Sequence, residues 1–198
     1  MDTVKQRAIT KRKLMESAAQ QCAPVIFGIK PSNLLIIDRD TAFALKSLID
    51  ATGLKIRCLS PYTEKQVWFM FRESSLDAML MDQEKRLFIE TFGYSGLMSR
   101  DEILARLCCR FQAYKRGETG FPHELGVFLG YPMCDVRGFI ENHGKNYLYS
   151  GYWKVYANEK EARRIFRKYE NVRNYALSLV DQGIGFSRLR QQTVFQTM

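Results

Sequence analysis

Between Asn158 and Leu179 the apolar residues Ala162, Ile165, Phe166, Tyr169, Val172, Ala176 and Leu179 recur at steps of three or four, with Ile165 and Phe166 adjacent. That spacing puts them on one stripe of a long helix, and Asn158 with Glu161 supplies the start signal. A helix with a single apolar stripe is not stable alone in water, so the rest of the chain has to provide a surface to cover it. At 198 residues and 46% hydrophobic content, the chain can bury a sizeable core of this kind.

The partner surface reads as a small sheet. "NLLIID" (33–38) predicts a short apolar strand, followed by a helix with Asp40 as N-cap, a buried face of Phe43, Leu45, Leu48 and Ile49, and Gly53 as its stop. "LKIRCLS" (54–60) and "QVWFMFR" (66–72) flank the turn-forming "PYTE" and predict an antiparallel hairpin. "YLYSGYWKVYA" (147–157) predicts the last strand, with Gly151 marking a bulge or a close backbone approach.

Helices fill the intervals. Val4, Ala8, Met15, Ala18 and Cys22 predict a helix over 3–21, ended or kinked by Pro24. Residues 74–92 read as helical with a break near Asp82, and Ser99 with Glu102 opens a helix to Tyr114 striped by Ile103, Leu107, Cys108 and Phe111. Pro122 and Pro132 suit the first turns of two short helices hinged at Gly130-Tyr131, the second ending at Asn142-His143-Gly144. The tail after Gly185 adds at most a turn of helix. The expected fold is thus a single α+β domain over 1–198. It has a small mixed four-stranded sheet in βαββ…β order, packed by the terminal helices, and a helical insertion over 74–144 before the last strand.

Charge and cysteine content restrict the function classes. The net charge of +9 is concentrated at the ends: residues 1–22 carry five basic against two acidic side chains, and 158–198 carry eight against four. Water-facing helix sides account for such a surplus as readily as a polyanion partner does. The basic N-terminal segment is not followed by an uninterrupted apolar run, which predicts a cytoplasmic protein without a membrane partner. Five scattered cysteines without a Cys-x-x-Cys pair predict reduced thiols, and with two histidines they predict no metal site. No motif names a cofactor.

One segment imitates a catalytic motif. In "GIKPSNLLI" (28–36), Lys30, Pro31 and Asn33 match part of a protein-kinase catalytic loop. Gly28 stands where the catalytic aspartate belongs, and only 27 residues precede the match, too few for a nucleotide lobe. The kinase reading fails. No phosphate-binding Walker loop, nucleophile elbow or His-Glu-x-x-His helix is present either; His123-Glu124 lacks the second histidine.

Two blocks, "CAPVIFGIKPSNLL" (22–35) and "FPHELGVFLGYPMCDVRGFIENHGKNYLYSGYWKVY" (121–156), resemble an uncharacterised bacterial family, domain of unknown function 3793. The resemblance implies membership over most of the chain and carries no activity, cofactor or catalytic residue with it.

The residues themselves offer two lines of chemistry. Cys22, if the chain turns at Ala23-Pro24 into another helix, sits at a helix N-terminus near Lys30, an environment that favours thiolate. With His123 as base and Glu124, Asp135 or Asn142 orienting it, a Cys–His site follows; simple core packing of Cys22 is the competing account. A small polar ligand is the favoured partner, held in a cleft between the 22–33 loop, with Lys30 and Asn33, and the 121–154 block, with Glu124, Asp135, Asn142, Lys145, Tyr152, Trp153 and Lys154. The alternative is a nucleic-acid-binding module that uses the basic helices and the aromatic strand as a stacking platform. A noncatalytic adaptor is the third reading.

Overall fold

The computed structural model describes residues 2–185, so the turn expected in the tail lies outside the described residues. The chain divides into two compact units, Met1–Glu73 with Asn171–Met198, and Ser74–Glu170.

The first unit begins with α1 (Asp2–Ile26). Pro24 does not end this helix, which runs two residues further. A proline in the last turn removes one amide donor, and its own carbonyl still accepts from the Ile29 and Lys30 N–H groups at 2.9 and 3.0 Å. The chain leaves through Gly28, whose φ of 78° is open only to residues tolerating the left-handed region. β1 (Ser32–Asp38), α2 (Leu45–Thr52), β2 (Lys55–Ser60) and β3 (Lys65–Phe71) follow, as the βαββ pattern predicts. Gly53 closes α2 with φ 66° and a 2.8 Å bond from its N–H to Ile49 O. A 3-10 turn, Arg39–Ala44, precedes α2. Its tighter three-residue period takes Phe43 off the buried stripe, and Phe43 is 87% exposed, against the sequence expectation.

The sheet is smaller than expected. Three strands pair in the order β1-β3-β2, and both pairings are antiparallel, so it is neither four-stranded nor mixed. One face, with Leu35, Ile37 and Met70, joins a core with Leu14, Ala18, Cys22 and Val25 of α1, Leu45 and Leu48 of α2, and Val172, Ala176 and Leu179 near the chain's end. The outer edge of β1 is covered from α1: the Gln21 amide donates to Ile36 O at 3.0 Å and accepts from Ile36 N at 2.8 Å, standing in for a neighbouring strand.

The second unit holds α3 (Glu73–Met81, from its second residue), α4 (Gln83–Glu90), α5 (Arg100–Lys115), α6 (Leu125–Phe128) and α7 (Met133–Glu141). Asp82 breaks α3 from α4 and caps α4 by accepting from Lys85 N, and Ser99 with Glu102 forms a complete capping box on α5. Pro122 lies ahead of the single turn of α6, and Pro132 is the N-cap of α7, each slightly outside its predicted first turn.

The predicted last strand is instead a short hairpin, β4 (Tyr149–Ser150) and β5 (Lys154–Val155), separate from the other sheet. Gly151 explains the break: a methyl group there would overlap the Phe166 ring, so the backbone meets the final helix too closely to continue extended. That helix, α8 (Glu159–Asp181), gives its first half to the second unit and its last turns to the first. No helix among the described residues is long and apolar enough to cross a membrane.

Candidate functional site

In the first unit, Cys22, Lys30 and Asn33 form one buried group. Cys22 lies inside α1 and is fully buried, its sulfur 3.6 Å from Leu34 O, so the expected helix N-terminus at this residue does not exist. Burial pushes its thiol up to about 12 despite the nearby Lys30 charge, which keeps it protonated at neutral pH. Lys30 is 3% exposed and donates to Asn33 Oδ1 at 2.7 Å; burial lowers its ammonium to about 8. Asn33 in turn donates to Gln21 O. The chain Lys30–Asn33–Gln21–Ile36 ties the exit of α1 to the edge strand.

In the second unit the three carboxylate and amide groups expected to orient His123 are engaged elsewhere. Glu124 is fully buried and accepts from Tyr94 OH at 3.1 Å and from Arg110 through both Nε and Nη2. Asp135, also buried, accepts from Trp153 Nε1 at 2.7 Å and from the Tyr156 and Ala157 N–H groups at 2.7 and 3.1 Å. It pins the hairpin to α7. Asn142 donates to Gly138 O at 2.9 Å and closes α7. His123 lies between the rings of Phe121 and Phe139, each 5.7 Å away, and burial lowers its pKa so that the neutral imidazole is favoured. Cys22 and His123 thus fall in different units, and neither has the local setting that thiol chemistry uses.

Tyr152 and Trp153 are inward rather than platform residues. Trp153 stacks on Tyr131 at 5.1 Å and meets Phe166 edge-on at 4.5 Å, while Tyr152 packs on Phe166 and Tyr169. The hairpin turn removes the strand alternation that would have given one free aromatic face.

What does gather is the turn after α7. His143, Gly144 and Asn146 have φ of 50°, 70° and 56°, and two of the three non-glycine positive-φ residues of the described chain sit here. Gly144 is required twice: a Cβ would also press on Phe139 at 3.1 Å and lie 3.5 Å from Lys154 Nζ. Through that gap Lys154 reaches Gly144 O at 2.7 Å, its ammonium 4.9 Å from the Tyr147 ring centre and 5.7 Å from that of Phe139. Lys145 is exposed beside it, and the Asn146 and Tyr147 N–H groups donate to no protein acceptor among the described residues. Asn142, Lys145, Lys154 and, through Phe139, His123 are therefore brought together, whereas Lys30 and Asn33 belong to the other unit. His143, Asn146 and Tyr147 were missed as site residues; the paired Asn-His-Gly and Lys-Asn signals mark only helix exits and turns when read alone.

A cavity of about 300 Å³ lies elsewhere, in the first unit, lined by Lys13, Glu16, Ser17, Ile36, Ile37, Asp38, Thr41 and Lys65. Its two lysines face two carboxylates, so it has no net charge preference. No group of three or more histidine, cysteine or acidic side chains among the described residues is arranged to hold a metal ion.

Residues 18–190 match the family model described as protein of unknown function (DUF3793). The chain belongs to this family. No curated protein and no solved structure matches it. Within this DUF3793 chain the matched region spans both units, from the buried Cys22 group to the end of α8.

Proposed function

We propose that this DUF3793 protein binds a small anionic ligand, one bearing a phosphate or carboxylate group, at the 142–147 turn, and that it acts by binding rather than by covalent chemistry. The observation that carries the reading is the fixed ammonium of Lys154, held by Gly144 O between two rings, beside a second lysine and two successive unpartnered amides. A cation already held in place loses little freedom on meeting an anion, and consecutive free N–H groups in a turn containing left-handed residues suit an anion in the same way. The engaged states of Glu124 and Asp135 and the protonated Cys22 favour binding over catalysis.

The test is a titration with inorganic phosphate and pyrophosphate at low ionic strength, followed by amide NMR shifts. Saturable shifts at Asn146 and Tyr147 are expected, with affinity reduced about tenfold in Lys154→Ala, the scale of one charge-assisted contact. If Lys154 only caps α7, the variant will melt earlier while phosphate affected the wild-type amides not at all, and the reading falls.

A further inference from the structure

The anion site is one end of a line of aromatic rings that reaches the surface, Tyr147 joining it through Lys154. From Tyr147 and Phe139, which flank Lys154, the line passes to His123 at 5.7 Å, to Phe121 at 5.7 Å and to Tyr114 at 5.3 Å. Tyr147, Phe121 and Tyr114 are 44%, 41% and 37% exposed, and His123 and Phe139 are half-buried. These rings come from three separate places, the end of α5, the segment before α6, and α7 with its following turn, so the line exists only in the folded chain.

Charge accompanies the rings at both ends. Lys145 and Lys154 stand at one end and Lys115 at the other, where Arg116 is already paired with Glu118; of the other acidic residues in these segments Glu124 and Asp135 are buried and engaged, and Glu141 is exposed. Between the ends His123 is favoured in its neutral form, so the middle of the line is uncharged, and its rings meet at 55°, 63° and 86°, tilted or edge-on rather than coplanar. Rings 5.3–5.7 Å apart, each turned against the next, with cations at the ends suit a flexible ligand that repeats a planar ring and an anion along its length and can turn each ring separately.

Resting on the anion-site reading, we infer that the natural ligand is single-stranded nucleic acid, with a phosphate at Lys154 and successive bases against Tyr147, His123, Phe121 and Tyr114. Bases stack on aromatic side chains whatever their sequence, because every base has a π-face, and the lysines follow the backbone. A duplex keeps its bases within its own stack and would meet only the lysines. The β4–β5 hairpin gives this surface Lys154, while its neighbouring rings Tyr152 and Trp153 pack inward.

The experiment uses the full chain and fluorescence anisotropy with a labelled single-stranded oligonucleotide, with the corresponding duplex, a heparin fragment and inorganic phosphate as comparisons. The expected result is that the single strand binds more tightly than the duplex and heparin. Its affinity should fall as salt rises and drop about tenfold in Phe121→Ala and again in Tyr147→Ala, while phosphate shifts at Asn146 stay unchanged in Phe121→Ala. Thermal melts of both variants, with Phe121→Leu as a second substitution that keeps bulk and removes the ring, separate lost stacking from lost folding. Phosphate binding with no preference for the single strand overturns the inference and leaves the anion site standing. Equal binding of heparin, or full affinity in Phe121→Leu, overturns it as charge attraction alone. Absence of both phosphate and oligonucleotide binding removes both readings.

Discussion

Replacing Asp135 gives the most direct test of how the second unit is held together. This carboxylate is 3% exposed and serves three donors: the Trp153 indole and the Tyr156 and Ala157 main-chain N–H groups. Asp135→Ala strands all three, and a buried donor left unpaired costs about 1–3 kcal/mol. Allowing some of them to relax toward water, the expected loss is about 4 kcal/mol, a large part of the roughly 5–15 kcal/mol that holds a domain together. Asp135→Asn behaves differently. Its remaining oxygen can still accept from the two main-chain groups, but its NH₂ then faces the indole N–H, donor against donor, for a loss of about 2 kcal/mol. The assay is urea unfolding followed by tryptophan fluorescence in a Trp68→Phe background, which leaves Trp153 as the single reporter of the chain's two tryptophans. An Asp135→Ala loss below about 1 kcal/mol, or equal losses for Asn and Ala, would refute the argument that this one carboxylate anchors the hairpin to α7.

Two further outcomes follow from the buried group in the first unit. Lys30 titrates at about 8 in the folded chain against an ordinary value of 10.5, so between those values the unfolded chain binds more protons and stability rises with pH. Cys22 acts oppositely above 9, where the unfolded thiol ionises while the folded one waits until about 12. Urea midpoints in a Cys22→Ala background should therefore climb from pH 8 to 10.5, and Lys30→Met should remove the climb; a rise of the same size in both proteins would count against a buried Lys30. In thiol labelling of the native protein with iodoacetamide at pH 8, exposed Cys109 and Cys134 should react first and Cys22 only on unfolding. Labelling of native Cys22 at the rate of Cys109 would show that α1 does not bury it.

Most local signals in this chain are borne out, the N-cap expected at Asp40 being the exception. The capping box at Ser99, the break at Asp82, the left-handed stop at Gly53 and the α8 stripe all depend on residues within a turn or two of one another, and each is where the pattern places it. The misreadings are of two kinds: at 38–45 a local 3-10 turn replaces the helix start expected at Asp40, and elsewhere a distant partner decides. Phe43 fits a helical stripe, but the chain first makes a 3-10 turn. "YLYSGYWKVYA" has strand composition throughout, yet the Phe166 ring, fifteen positions beyond Gly151, stops it from running straight. Cys22 looked like a nucleophile because nothing nearby in sequence shows that α1 continues through Pro24 and packs its sulfur against Leu34 O. The candidate site was half legible for the same reason. Asn142, Lys145 and Lys154 stand out by type, whereas the roles of Gly144 and Phe139 depend on a lysine ten residues away in sequence reaching back over them.

By itself the sequence determined the helices, the βαββ start, the basic ends and the family, because periodicity, capping and composition act over short distances or over the whole chain at once. Only the tertiary structure decided how many strands share a sheet, which carboxylates are engaged, and which lysine and rings meet at the 142–147 turn. Those outcomes are set by hydrogen bonds and packing between residues far apart in sequence, where the identity of one partner says little until the position of the other is fixed.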